Sequence, residues 1–180
     1  DADGLTVRGN GYVLDSAART VRVLHDCRVV ISGLMGSNMT ASAEASTNVT
    51  VITSKEMFLD YKDRSVLFEK DVCVEDPQLR LLSDTMKVGF SEKNEISWIV
   101  AEGAVRMFHE GREANAGKAV YDVATDEFLL EDNPKLIDGR NTLVGEKIRF
   151  RRASGQMVCE PSARLVVFPD KNLKTDLFEK

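Results

Sequence analysis

Between residues 96 and 150 the chain (ISWIVAEGAVRMFHEGREANAGKAVYDVATDEFLLEDNPKLIDGRNTLVGEKIRF) alternates apolar and polar side chains in short runs, and each run closes on a turn signal. Runs of about 4 to 8 residues with a period of two put successive side chains on opposite faces, which is the requirement of a half-buried antiparallel sheet and not of an amphipathic helix. Phe128, Leu130, Leu136, Ile148 and Phe150 form the oily face, and Glu127, Glu131, Lys147 and Arg149 the wet one. The turns fall at 109–112, 132–134 and 138–141, where Glu110-Gly111 and Asp138-Gly139 supply a residue that takes positive φ at no steric cost. Hairpins stacked in this order predict a meander.

The same alternation extends outward. Residues 5–32 read as strands separated by Gly9-Asn10-Gly11 and by 15–19, and further strands are expected at 49–53, 57–61, 66–69, 72–75, 79–82, 85–90 and 95–100, with one or two around Pro161 in 157–168. No helix pattern follows Gly9-Asn10-Gly11 to present backbone N–H groups, so a tight turn is expected there and not a phosphate loop. No 3.6-residue apolar pattern with caps is sustained anywhere, which predicts almost no helix. Residues 33–48 are small and polar and read as one long loop, and the charged tail 169–180 as loose or packed on an edge.

A repeat runs through this pattern. Residues 60–88 lie without gaps on 122–150, with Asp60/Asp122, Leu67/Leu129, Glu69/Glu131, Asp76/Asp138 and Leu81/Leu143 identical. Apolar positions coincide at Val66/Phe128, Phe68/Leu130, Val74/Leu136, Met86/Ile148 and Val88/Phe150, and so do the turn signals at Asp71-Val72/Asn133-Pro134 and Asp76-Pro77/Asp138-Gly139. A degenerate first copy, about residues 12–32, brings Asp15, Arg19, Val21, Val23 and Asp26 onto Asp60, Arg64, Val66, Phe68 and Asp71. The whole of 1–180 is expected to form one domain.

Composition bounds the function. With 24 basic against 29 acidic residues the net charge is -5, and no Lys/Arg cluster beyond Arg149, Arg151 and Arg152 offers phosphates a footing, so nucleic acid is excluded as a partner. Cys27, Cys73 and Cys159 are scattered and odd in number. They fit neither a zinc site nor a redox motif and read as small buried apolar residues, with one disulfide left open as an alternative. No apolar run reaches the ~18 residues of a membrane span.

Chemistry needs convergence, and none is visible. His25 and His109 are far apart in sequence, and the carboxylates stand at turns and on wet faces. Asp60 with Asp122, or Asp76 with Asp138, would pair only if the repeats faced each other, and turn hydrogen bonds explain them more simply. No Gly-x-Ser-x-Gly elbow is present. The expectation is no enzyme, no metal and no cofactor.

The informative feature is the oily face. In a continuous twisted sheet folded over on itself, Val21, Val23, Val66, Phe68 and Leu81 would share one lengthwise interior with Met86, Val88, Trp98 and Tyr121. Phe128, Leu130, Leu136, Ile148 and Phe150 would continue it. Either these residues fill a sandwich core or the layers splay and leave a greasy channel.

The run Ala-Glu-Gly-x-Val, Glu-Gly-Arg-Glu-Ala-x-Ala, Ala-Val-Tyr, Phe-Leu-Leu-Glu-Asp-Asn-Pro-x-Leu and Asp-Gly-Arg-Asn-x-Leu-x-Gly-Glu-x-Ile-x-Phe resembles the OstA-like family over 96–150, and more weakly over 12–90. The resemblance implies an elongated, V-shaped, all-β jellyroll of hairpins and a periplasmic, non-enzymatic role in carrying lipopolysaccharide toward the outer membrane. It also implies that the interior residues just named take acyl chains while the sugar head stays outside. Partners would be lipopolysaccharide or a related glycolipid and other OstA-like proteins. These would pair through edges near 5–14 and 157–168, including head-to-tail self-association. An inner-membrane anchor beyond Asp1 is left open. The alternative is a ligand-free structural or interaction module of the cell envelope.

Overall fold

A computed structural model describes residues 5–32, 49–77, 79–109, 111–151, 154 and 156–168. The expected loop at 33–48 and the tail at 169–180 lie outside the described residues. Within them the chain is all-β, with fourteen antiparallel strands in one sheet and no helix. The strands are β1 (Leu5–Asp15), β2 (Thr20–Ser32), β3 (Val49–Ser54), β4 (Glu56–Asp60), β5 (Ser65–Glu75), β6 (Leu79–Phe90) and β7 (Ile96–His109). They continue as β8 (Arg112–Asp122), β9 (Glu127–Glu131), β10 (Lys135–Asp138), β11 (Asn141–Val144), β12 (Lys147–Arg151), β13 (Gln156–Glu160) and β14 (Arg164–Val166).

A crease crosses the sheet near the middle of every long strand. The ladder slips between Arg8 and Asn10, Glu69 and Val72, Leu82 and Thr85, and Glu102 and Val105. At the same line β3 gives way to β4, β9 to β10, β11 to β12 and β13 to β14. Bulges bend and twist a strand, and a row of them folds the sheet. One leaf therefore has the order β1-β2-β3-β5-β6-β7-β8-β10-β11-β14, and the other β1-β2-β4-β5-β6-β7-β8-β9-β12-β13. Their inner faces pack on one another as a jellyroll, as the tilted ring pair of His109 and Phe150, 6.2 Å between centroids, illustrates across the gap.

The crease selects its residues. Asp26, Lys70, Asp71, Ala104, Asp132 and Asn133 all hold positive φ there, a conformation that Asp and Asn tolerate best among residues with a Cβ. At Gly103, φ is 81°, and an added Cβ would lie 2.7 Å from that of Asp84. Three signals expected to reverse the chain are crease points instead: Gly9-Asn10-Gly11 lies within β1, Asp71-Val72 within β5, and Asp132 to Pro134 only separates β9 from β10. Likewise the strands expected at 66–69 and 72–75 are one strand, as are those at 79–82 and 85–90. A bulge keeps pairing on both sides, so the chain bends without turning back.

Three hairpin turns at the rim of the second leaf, β1–β2, β4–β5 and β8–β9, share one design. Asp15 Oδ1 accepts from the Ala18 amide at 2.8 Å, Asp60 Oδ1 from Lys62 and Asp63 at 2.8 and 3.1 Å, and Asp122 Oδ1 from Thr125 at 2.9 Å. Each turn ends on a positive-φ residue, Arg19, Arg64 and Asp126 in order. Asp76 similarly accepts from the Leu79 amide, and Asp138 from Arg112 Nε. The carboxylates thus serve turns and rim contacts.

Candidate functional site

Three apolar rows cross the inner faces, each strand contributing one residue per row because the antiparallel register is kept on both sides of the crease. In the second leaf one row runs Val23, Met57, Phe68, Met86, Ala101, Ala119, Leu130, Ile148, Cys159. A neighbouring row, nearer the rim, runs Val21, Leu59, Val66, Val88, Ile99, Tyr121, Phe128, Phe150, Met157. In the first leaf the row is Val7, Val29, Ile52, Val74, Leu81, Met107, Ala114, Leu136, Leu143, Leu165.

Thirteen of the fourteen residues singled out in the sequence lie on these rows. Trp98 does not. Trp98 alternates with the inward Ile99 and Ala101 and so faces outward, and an extra residue at Ser97, where the ladder slips between Gly89 and Phe90, brings Ile96 inward as well. The indole, 36% exposed, lies across Gly89, where any Cβ would collide with its ring.

The rows do not enclose one open channel. In the middle the leaves touch: Val72, Met86, Ala101 and Val105 are each only 1% exposed. Space opens toward the two ends. The N-terminal cavity, about 280 Å³, is walled by Val7, Val29, Ile31 and Ile52 from the first leaf and by Met57, Leu59, Val66, Phe68, Val88 and Phe90 from the second, with Asp60, Tyr61, Arg64 and Asn94 at its polar margin. The C-terminal cavity, about 50 Å³, is walled by Leu79, Met107, Ala114 and Leu136 facing Phe128, Leu130, Ile148, Phe150 and Met157, with His109 and Arg112 at its edge. Of the residues expected in the interior, Val66, Phe68 and Val88 line the larger cavity, and Phe128, Leu130, Leu136, Ile148 and Phe150 the smaller. Val23, Leu81, Met86 and Tyr121 are buried in the core and line neither cavity, and Val21 lies in a shallow surface groove with Leu14, Arg19 and Tyr61.

The difference in size follows from the repeat. Val66 and Val88 wall the larger cavity, and their counterparts 62 positions on, Phe128 and Phe150, project rings into the smaller one. Phe128 also stacks on Tyr121 at 4.4 Å, and the Tyr121 hydroxyl donates to Asp126 at 2.8 Å, which fixes that wall. Sequence reasoning missed the first-leaf wall of Val29, Ile31 and Ile52 and the marginal Arg64 and Arg112. The first three continue the alternation of β2 and β3 and were legible on that ground; the arginines carried no motif.

Apart from Asp60, Arg64, His109 and Arg112 at the cavity margins, the ionic contacts lie on the outer face, where Lys70 pairs with Glu56, Lys118 with Glu102 at 2.9 Å and Lys147 with Glu131 at 2.7 Å across adjacent strands. The Lys70 and Lys147 ammoniums hold the Glu56 and Glu131 carboxyls below their usual range. Inside, burial pushes the Cys27 and Cys159 thiols up. All three cysteines are free. Among the described residues no group of His, Cys, Asp or Glu has the arrangement to hold a metal ion. The walls of both cavities are apolar, with charged groups only at their margins.

Comparison with protein families matches residues 51–156, more than half of the chain, to the family described as LptA/(LptD N-terminal domain) LPS transport protein. A comparison with curated protein sequences finds no match. Among solved structures, the fold is similar to that of LptH, the LptA-homologous periplasmic component of the lipopolysaccharide transport device of Pseudomonas aeruginosa. The TM-score is 0.61 at 18% identity, covering 67% of this chain and 95% of that one.

Proposed function

Given that this chain belongs to the LptA/(LptD N-terminal domain) family of LPS transport proteins, we propose that it is a periplasmic carrier that receives acyl chains of lipopolysaccharide between its leaves and hands them on without covalent chemistry. The observation that carries this reading is the N-terminal cavity, an apolar space of about 280 Å³ walled by both leaves and bordered by polar groups on one side only. At about 30 Å³ for a water-sized group, it has room for a single chain segment of about nine methylenes. Each methylene withdrawn from water contributes about 0.8 kcal/mol. A lining without directional hydrogen bonds lets such a chain slide.

The test is incubation of the chain with lipopolysaccharide, removal of free lipid by washing, and quantification of what remains bound. Near-stoichiometric lipid is expected. Protein that emerges empty at micromolar concentration sinks the carrier reading and favours a ligand-free envelope module, which the close packing around Met86 and Val105 supports.

The two open edges complete the reading. β1 has no partner on its outer side among the described residues, nor have β13 and β14 on theirs. Apolar rows run out to both edges, at Tyr12 and Leu14 on one side and Leu165 on the other, 48%, 72% and 63% exposed. Edge strands of this kind recruit a further strand. Pairing there with proteins of the same fold, or head-to-tail with a second copy, would extend the rows from one molecule into the next. The rim turns recurring at Asp15, Asp60 and Asp122 and the crease points at Asp26, Asp71 and Asn133 support reading the chain as three copies of one unit within a single domain.

A further inference from the structure

We infer that Arg64 anchors an anionic group, a phosphate or carboxylate, on the amphiphile whose chain occupies the N-terminal cavity. The inference rests on the reading of that cavity as an acyl-chain host, and adds that the site selects its guest by headgroup charge.

Arg64 stands where apolar lining gives way to solvent. Its backbone is fixed, at φ 47°, by the rim turn, and its carbonyl accepts from the Phe90 amide at 2.9 Å. Its side chain is 47% exposed, and the ion pair it makes is a loose one: Glu92 lies 3.8 Å away and is itself 92% exposed. Such a pair exchanges readily for a better acceptor. The carboxylate at this margin, Asp60, has one oxygen committed to the Lys62 and Asp63 amides. An anion tethered to a buried chain would therefore meet a cation whose fork makes charge-assisted hydrogen bonds, beside the polar side chains of Tyr61 and Asn94.

The repeat supplies an independent observation. The positive-φ residue closing the same turn is Arg19 in the first unit, Arg64 in the second and Asp126 in the third, where the carboxylate accepts from Tyr121. The side chain presented at this turn thus changes from a cation in the first two units to a carboxylate already engaged by a hydroxyl in the third.

Calorimetric titration of the full chain with dodecyl phosphate and with dodecyl maltoside, both below their micellar concentrations, separates charge from chain. The wild type is expected to favour the phosphate by about tenfold, the order of one charge-assisted contact, and the margin should shrink as salt is raised. Arg64→Gln should lose the preference while binding the maltoside as before, and Arg64→Lys should keep most of it, with urea midpoints of all three alike. A preference that survives in Arg64→Gln overturns the anchor and leaves the cavity reading intact. Failure of both alkyl probes to bind overturns the cavity reading and the anchor with it. Inorganic phosphate alone is expected not to compete; competition by it at similar concentration would make this a free-anion site and overturn the proposal as stated.

Discussion

Replacing Val66 and Val88 together by Phe copies into the N-terminal cavity the two side chains that the third unit already carries at the equivalent positions, Phe128 and Phe150. The fold accommodates rings there, so the double variant should remain folded while its cavity approaches the smaller one. The two cavities measure about 280 and 50 Å³. At about 30 Å³ per water-sized group the difference amounts to about seven or eight methylenes of guest, and at about 0.8 kcal/mol each that is roughly 6 kcal/mol of burial. If the walls give back half of the space by changing rotamers, about 3 kcal/mol is lost, which is more than a hundredfold in affinity. Displacement of a fluorescent fatty acid by lipopolysaccharide, measured beside a urea melt, reads both quantities. Affinity within threefold of the wild type, with an unchanged urea midpoint, would refute the assignment of this cavity as the chain-binding space.

Other outcomes follow from single contacts. Met86→Ala removes a side chain 1% exposed where the leaves touch, and should cost about 2–5 kcal/mol in a denaturant melt. The Asp122 carboxyl is held below its usual range by the amide and hydroxyl of Thr125. Its folded pKa is depressed, so its contribution is fully present above about pH 4 and is lost as pH falls through the folded value. Asp122→Ala should therefore narrow the gap in stability between neutral and strongly acidic solution, a difference visible in thermal melts across that window. Thiol titration in denaturant without reductant should count three reactive groups, because the three cysteines are unpaired. In the native protein Cys27, 2% exposed and with its thiol pKa raised by burial, should be the slow one.

Alternation made the strands legible: nearly every expected run lies in a strand, and the Asp-led turns at 15, 60 and 122 close hairpins as their residues predict. The crease was not legible, since Asp71-Val72 and Gly9-Asn10-Gly11 have the composition of turns, and whether positive φ reverses a chain or only bends it depends on the neighbouring ladders. Trp98 was misplaced because ISWIV is apolar on both parities, and only the register with β6, which turns Ile99 inward, decides which parity faces the interior. The size of each cavity depends on the separation of the leaves, which no local pattern encodes. The exchange of Val66 and Val88 for Phe128 and Phe150 stands in the repeat, but its bearing on which end is roomier emerges only with the two leaves in place.

The crease fixes the width of the molecule and leaves its length free. Between equivalent points of β5 and of β9 with β10 lie four ranks of strand, each about 4.8 Å deep. A tandem copy of those 62 residues, inserted in frame at matching crease points, would lengthen the long axis by roughly 19 Å and leave every cross-section as it was. The architecture is in this sense a measuring tape, which can be cut or spliced at any hairpin to suit the distance it must cover.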